Sequence, residues 1–164
     1  MGPVTTRGAF DRYPGACDAL ARDGGRIIQG GRRSGPDDFA HGFFVAPTLA
    51  EAPVDHPLFR EELFLPILMM ARVRSREEAM AFCNDSPVGL TAGVYGDTDD
   101  VVWFNDRIEA GVTYANRPQG ATTGAWPGYQ PFGGWKGSSS TGKAIASFHY
   151  LAQYLREQSQ TVVE

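Results

Sequence analysis

The sequence contains few of the residues that bind metals or form disulfides. Its two cysteines, Cys17 and Cys83, stand far apart and form no C-x-x-C pair. The three histidines, His41, His56 and His149, have no histidine or cysteine three or four residues away. We therefore expect two free thiols in a reducing compartment, both packed as small apolar residues in the core. We expect the histidines to be surface or helix-capping residues and the protein to hold no metal.

A long apolar run and an excess of basic residues are also missing. The longest mostly apolar stretch, residues 63–73, contains Pro66 and Arg72 and is too short to span a bilayer. The 15 Lys and Arg residues against 19 Asp and Glu give a net charge of -4, which argues against binding to phosphate backbones. The first twelve residues contain no apolar signal core. These absences predict a cytoplasmic protein that binds neither membrane nor nucleic acid.

The composition that is present is that of a folded protein. Hydrophobic residues make up 42% and charged residues 21% of the 164 positions, close to globular averages. A chain of this length is one domain or a piece of a larger one.

Helical and strand patterns alternate along the chain. A first helix, broken or kinked at Pro14, precedes a short strand, and Ser75 and Glu78 have the spacing of a capping box. Strand, helix, strand, helix, strand with short connections predicts an α/β fold with an open parallel sheet. The predicted elements are strands at 26–29, 67–73, 90–95 and 112–116, a helix from Ser75 to Asn84, and a second helix that ends before Gly111 as its C′ residue.

A glycine-rich stretch follows the last of these strands. Residues 117–142 have no apolar period but include Trp126, Tyr129, Phe132 and Trp135, which argues for an ordered loop. Long loops in compact domains are commonly functional, and open α/β sheets bind ligands at the carboxyl ends of their strands. A final helix is predicted from 143 to 157.

Three motifs could carry chemistry. Residues 137–144 nearly form a phosphate-binding P-loop, but Ala144 replaces the required hydroxyl residue, so we reject that function. The pair Glu61 and Glu62 is either a solvated turn or the edge of a cleft. Backbone N–H groups near Gly124 and Ala125 could bind a carboxylate or phosphate, or the loop could be only structural.

Several stretches together resemble one enzyme family. In order, the chain reads GFFVAPT, REELFLPI, FCNDSPVGL, AGVTYAN and QPFGGWKGS. These resemble landmarks in the C-terminal third of the aldehyde dehydrogenase superfamily. The stretch TGAWPGYQPFGG is similar to the branch that oxidises glutamate semialdehyde (1-pyrroline-5-carboxylate).

The resemblance implies a role for particular residues. Glu62 matches a glutamate that hydrogen-bonds the nicotinamide ribose, and Phe64 matches the aromatic residue beside it. Gly124 and Ala125 match the backbone anchor of the substrate carboxylate. The remaining substrate-binding residues implied are Asn116, at the end of a strand, and Phe132, in the wall of the aldehyde tunnel.

The resemblance also implies what the chain does not contain. The family's catalytic cysteine, general-base glutamate and most of its NAD-binding fold correspond to positions upstream of this chain. We therefore expect residues 1–142 to be part of a catalytic domain, 143–157 a terminal helix and 158–164 an oligomerisation strand. The expected cofactor is NAD, with NADP left open, and the expected substrate is an aldehyde that carries a carboxylate. We expect the isolated chain to be inactive and to associate with further copies or with a separate N-terminal half. The alternative is a non-catalytic interaction module that keeps the family fold.

Overall fold

The computed structural model describes residues 2–34, 42–118 and 130–164. Its first unit is a helix packed on a three-stranded sheet. The unit comprises residues 1–76, and a second unit comprises residues 77–164. Both units combine helices with short strands, so the predicted α/β class is confirmed.

The first helix, α1, spans Arg7–Arg22 and continues through Pro14. Proline lacks the N–H that would bond to the carbonyl four residues earlier, which here belongs to Phe10. The Arg33 guanidinium donates to this carbonyl at 3.1 Å and lies 4.1 Å from the centre of the Phe10 ring. The helix is therefore not broken at Pro14, because a side chain from outside the helix bonds to the carbonyl that proline leaves unpaired; the kink that the sequence also allowed stays a prediction.

A buried hydrogen-bond network joins α1 to the sheet. The Tyr13 hydroxyl donates to the Ala46 carbonyl at 2.7 Å and also contacts the Thr48 hydroxyl. The Gly31 N–H donates to the same Thr48 oxygen at 2.9 Å. Cys17, 3% exposed, packs beside Tyr13, and its predicted burial is confirmed. Burial raises the pKa of both the Tyr13 hydroxyl and the Cys17 thiol.

The sheet of the first unit has the order β1-β2-β3. Its strands are β1 at Arg26–Gln29, β2 at Thr48–Glu51 and β3 at Ile67–Met70. Strands β1 and β2 are antiparallel, whereas β2 and β3 are parallel. In this strand order, β3 lies at an edge of the sheet formed by the described residues. A 3-10 helix at Pro57–Phe59 precedes β3.

In its described residues the second unit contains two α-helices and two small sheets. Helix α2 spans Arg76–Asn84 and α3 spans Thr98–Asn105, and the predicted positions of both are confirmed. Strands β5, Thr91–Val94, and β6, Val112–Ala115, pair in parallel. Strands β4, Val88–Gly89, and β7, Trp135–Lys136, pair antiparallel.

The core of the second unit lies where both helices meet the β5–β6 pair. Met80 of α2 and Phe104 of α3 pack with Ile108 and Ala110 in one buried cluster. Two sequence predictions for this unit are wrong. Helix α3 ends at Asn105, too early for Gly111 to be its C′ residue, and Cys83, in the last turn of α2, is exposed.

The C-terminal segment differs from the predicted terminal helix. Residues 143–157 form turns and a single 3-10 helix at Ala152–Tyr154, and residues 158–164 have no regular structure. The apolar side chains that would line such a helix are exposed, with Phe148 fully exposed and Leu155 at 74%. A short helix needs an apolar face packed on a partner surface, and this segment leaves that face in solvent.

Candidate functional site

Asn116 closes the carboxyl ends of β5 and β6. Its N–H donates to the Val94 carbonyl at 2.8 Å, and its side chain forms two hydrogen bonds with Gly96. The Gly96 N–H donates to Asn116 Oδ1 at 3.0 Å, and Asn116 Nδ2 donates to the Gly96 carbonyl at 2.9 Å. Asn116 has φ of 50°, a left-handed conformation that asparagine tolerates better than most residues. The side chain thus fixes the edge where the sequence predicts a ligand, and its contact with substrate stays a prediction.

The chain that leaves this edge is held by aromatic contacts. The Arg117 guanidinium lies 4.5 Å from the centre of the Tyr114 ring. The Tyr95 hydroxyl donates to the Arg117 carbonyl. The predicted carboxylate anchor, Gly124 and Ala125, follows a few residues later and lies outside the described residues.

Phe132 lines a cavity of about 160 Å³ in the second unit. Its backbone pairs with Ile145, with N–H to carbonyl distances of 3.0 and 2.8 Å. Tyr150 and Tyr154, whose ring centres lie 5.5 Å apart, line the same cavity together with the backbone of Gly133 and Gly134. The role of Phe132 as a wall of the substrate tunnel stays a prediction.

Close backbone packing explains the glycines that follow Phe132. A Cβ placed on Gly111 would lie 1.9 Å from the Gly133 carbonyl oxygen, and one on Gly133 would lie 2.8 Å from Ala144 Cα. Such distances leave no room for a side chain. The glycines let this segment lie directly against the start of β6 and against residue 144.

Lys136 fixes the far end of the same segment. Its ammonium donates to the Asn84 carbonyl at 2.5 Å and to the Ser86 carbonyl at 3.2 Å, and pairs with Glu109 at 2.6 Å. Three acceptors match the three protons of an ammonium group. Because α2 ends at Asn84, the Lys136 ammonium also lies at the C-terminus of this helix, where the helix dipole favours a cation.

The Asn84 side chain extends this network to the segment after α3. Its Nδ2 donates to the Arg107 carbonyl at 2.8 Å, and its Oδ1 accepts from the Glu109 N–H at 2.9 Å. Asn84 and Lys136 therefore join α2, residues 107–109 and β7. We refer to Asn84, Glu109 and Lys136 as the Lys136 clamp.

Glu62 and Phe64 lie in the first unit, in the irregular segment before β3. Both are exposed, Phe64 at 80%, and Phe64 has φ of 51°. No hydrogen bond or ion pair of the Glu62 side chain is found among the residues described. An accessible carboxylate next to an accessible ring can contact a ribose and its attached ring. Glu61 is exposed as well, so neighbouring carboxylates share this turn.

The histidines and the P-loop-like segment behave as expected where the structure describes them. His56 caps the 3-10 helix, with its Nδ1 accepting from the Leu58 N–H at 3.2 Å, and His149 is exposed. His41 lies outside the described residues. Residues after Lys143 form turns instead of the helix that a P-loop requires. Within residues 2–34, 42–118 and 130–164, no metal-binding group of His, Cys, Asp or Glu occurs, and no helix could cross a membrane.

Comparison with known proteins decides the family. The model of the aldehyde dehydrogenase family matches residues 1–160. This chain belongs to the aldehyde dehydrogenase family. It is 33% identical over 161 residues to the 1-pyrroline-5-carboxylate dehydrogenase of Bacillus thuringiensis (strain Al Hakam), covering 97% of this chain and 30% of that relative. The chain thus spans about a third of the length of the curated relatives it matches.

Solved structures support the same assignment. The 1-pyrroline-5-carboxylate dehydrogenase from Thermus with bound NAD matches 94% of this chain and 29% of that chain, with 32% identity and a TM-score of 0.82. An aldehyde dehydrogenase from Mycobacterium tuberculosis complexed with NAD+ matches 89% of this chain and 29% of that chain, with 29% identity and a TM-score of 0.76. The resemblance and the α/β fold inferred from the sequence are confirmed.

Sequence reasoning missed the Lys136 clamp. Two of its members lie in quoted motifs, Asn84 in FCNDSPVGL and Lys136 in QPFGGWKGS. Glu109 stands in no motif. A lysine in a glycine-rich stretch could have suggested that its ammonium binds backbone carbonyls of another segment. Its partners, however, lie up to 52 residues away in the sequence. Only the fold identifies them.

Proposed function

We propose that this chain is the C-terminal part of an NAD-dependent aldehyde dehydrogenase that oxidises glutamate semialdehyde to glutamate. The observation that carries the proposal is the 33% identity to a 1-pyrroline-5-carboxylate dehydrogenase over 97% of the chain. The matching relatives with NAD in their structures favour that cofactor.

Glu62 and Phe64 fit the cofactor role implied by the family. The Glu62 carboxylate is exposed and would accept hydrogen bonds from the two ribose hydroxyls, while the exposed Phe64 ring would pack beside the nicotinamide. NAD, when bound, would act as the acceptor of the hydride that is transferred in the oxidation. In this proposal the chain supplies contacts that hold the cofactor in position for that transfer.

In this proposal the substrate-binding roles belong to residues of the second unit. The Phe132 ring would form part of the apolar wall that excludes water, and Asn116 would keep the strand ends in position. Backbone N–H groups of Gly124 and Ala125 would bind the substrate carboxylate. The thiolate and the base that the chemistry requires have no counterpart in the matched residues, so we expect these residues to act only together with a polypeptide segment that carries both groups.

Exposed apolar residues at the C-terminus favour a second, compatible role in assembly. Phe148 is fully exposed, and Val162 and Val163 are 86% and 89% exposed. Solvent-exposed apolar patches mark association surfaces. A homo-oligomer formed through residues 158–164 would be disrupted by Val163→Lys, and sedimentation velocity would detect the change.

The cofactor role is tested by a pair of neighbouring variants. The chain is mixed with the part of a 1-pyrroline-5-carboxylate dehydrogenase that lies outside the matched region, here called the complementary polypeptide. In this mixture we expect Glu62→Gln to reduce kcat/KM for NAD about tenfold, since two hydrogen bonds to a charged acceptor become weaker. Glu61→Gln is the matched control and should have no effect. Equal kinetics for both variants would refute the role of Glu62.

A further inference from the structure

The cavity beside Phe132 has a polar lining that the proposed oxidation does not use. The lining includes the hydroxyl residues 138–141, the two tyrosines Tyr150 and Tyr154, and Lys143. Among the described residues that line the cavity there is no aspartate or glutamate. The charge of the lining is therefore positive, and a lining of this kind favours an anion.

Two of the hydroxyl groups keep a proton that can be donated. The Ser138 oxygen accepts from the Gly89 N–H at 2.9 Å, which leaves the Ser138 O–H as a donor. The Tyr154 hydroxyl donates to the Tyr150 oxygen at 3.5 Å, which leaves the Tyr150 O–H as a donor. Within residues 2–34, 42–118 and 130–164, neither of these two protons has an acceptor. The lining therefore offers donors to a ligand that accepts hydrogen bonds.

Lys143 brings an uncompensated charge to the same cavity. Its N–H donates to the Thr141 hydroxyl oxygen at 3.2 Å, and the Thr141 N–H donates to the Ser139 hydroxyl oxygen at 3.4 Å. These turns hold the backbone of the segment in place. In the part of the chain that the structure describes, no carboxylate pairs with the Lys143 ammonium, whereas the Lys136 ammonium pairs with Glu109.

The size of the cavity restricts the ligand. Its volume of about 160 Å³ is well below the range of about 300–1,000 Å³ that is typical of pockets for larger organic ligands. A whole nucleotide is therefore too large, in agreement with the rejection of a P-loop function for this segment. A small anion with several oxygen atoms can accept from an ammonium and from two hydroxyls at once.

We propose that this cavity binds a small oxyanion, held by the Lys143 ammonium and by the Ser138 and Tyr150 hydroxyls. Inorganic phosphate and the carboxylate of a small acid such as glutamate share the required chemistry. The site needs no catalytic group, so the inference goes beyond the proposed oxidation and does not depend on it.

Titration of the full chain with inorganic phosphate tests the site. Isothermal titration calorimetry at constant ionic strength measures the Kd, and the backbone amide chemical shifts in NMR spectra locate the bound anion. We expect phosphate to bind and to shift the amides of residues 138–143. Shifts that leave out this segment, or no binding at millimolar phosphate, would overturn the proposal.

Two variants remove donors from the cavity. Lys143→Met should raise the Kd for phosphate about tenfold, since it removes a charged donor, and Tyr150→Phe about threefold, since it removes a neutral one. Arg32→Met is the control for net charge, because Arg32 is exposed and does not line the cavity. Circular dichroism should show Lys143→Met folded, since its side chain is exposed. Equal weakening by Lys143→Met and Arg32→Met would mean that phosphate only follows the net charge, and the proposal would be wrong.

Glutamate as a second probe distinguishes the two sources of the anion. Displacement of phosphate by glutamate would show that a carboxylate shares the site, whereas binding of phosphate alone would assign a phosphate site. Binding of glutamate alone, weakened by Lys143→Met, would assign a carboxylate site. Anion binding without any oxidation of glutamate semialdehyde would leave this inference standing and count against the proposed function. Oxidation without anion binding to this segment would do the reverse.

Discussion

Removing the Lys136 ammonium should destabilise the second unit, because this group ties three segments together. In Lys136→Met the apolar stem is kept, but the Asn84 and Ser86 carbonyls lose a charged donor and Glu109 loses its counter-ion. The helix α2 also loses the cation at its C-terminus. The variant therefore isolates the charge from the packing of the side chain.

The size of the effect follows from the exposure of the partners. Hydrogen bonds to a charged group contribute about 1.5–3 kcal/mol when buried, whereas exposed ion pairs contribute about 0.2–1 kcal/mol. The Lys136 side chain is 23% exposed and Glu109 49%, so water replaces part of what is lost. We expect Lys136→Met to lower the free energy of unfolding by about 2 kcal/mol, equivalent to a Tm lower by about 4–8 °C for a chain of this size.

Urea unfolding followed by circular dichroism measures the change. Lys143→Met is the matched control, since Lys143 is exposed directly after the glycine-rich stretch, and it should alter stability by less than about 0.5 kcal/mol. Lys136→Arg should recover less than half of the loss, because a planar guanidinium does not match three converging acceptors. Equal stability of Lys136→Met and Lys143→Met would refute the argument that the clamp stabilises the fold.

Three further predictions concern packing, the proline in α1 and pH. Gly111→Ala should destabilise the protein by about 1–3 kcal/mol because its Cβ would overlap Gly133. Gly15→Ala, in open space within α1, should stabilise it by about 0.5–1 kcal/mol. Changes in Tm of the same sign for both variants would contradict this prediction. Arg33→Met should cost about 1 kcal/mol by leaving the Phe10 carbonyl unpaired, and Arg32→Met almost nothing; urea titrations compare them. The pKa of the Cys17 thiol is raised above its ordinary value of 9.0, so folding favours the protonated thiol. The contribution of this thiol to the free energy of unfolding is therefore fully present below pH 9.0 and falls as the pH rises above that value. Cys17→Ala should flatten this fall when unfolding is measured across pH.

Much of the fold followed from local signals in the sequence. The capping-box spacing located α2, and the alternation of apolar strands and helical segments located β5, α3 and β6. The apolar spacing and the capping residues of each of these elements are local features, which a sequence pattern captures. The glycine-rich stretch was predicted to be an ordered loop because it has no apolar period but contains aromatic residues.

The errors arose where distant residues decide the structure. Arg33 repairs the hydrogen bond that Pro14 removes, and no local pattern indicates a partner 23 residues from Phe10. The predicted C-terminal helix had a suitable apolar period but finds no buried surface for Phe148 and Leu155 in the described chain. Cys83 has apolar neighbours in sequence, yet α2 packs through Met80. Tertiary packing decides each of these cases over local propensity.

The candidate site was predicted from family resemblance more than from pattern. Composition and spacing alone left Glu62 as one of two exposed carboxylates in a turn. The structure describes Asn116 at the end of β6 and Phe132 beside a small cavity, and their contacts with substrate stay predictions. Gly124 and Ala125 lie outside the described residues, so their role rests on the sequence alone.

Formation of NADH from glutamate semialdehyde tests the central proposal most directly. The purified chain is assayed alone, with the complementary polypeptide, and with a complementary polypeptide that lacks its catalytic cysteine. We predict NADH only when the chain meets the intact complementary polypeptide, because the nucleophile must come from that partner and the Glu62 and Phe132 contacts from this chain. NADH production by the chain alone, or by the complementary polypeptide at the same rate without it, would contradict the account.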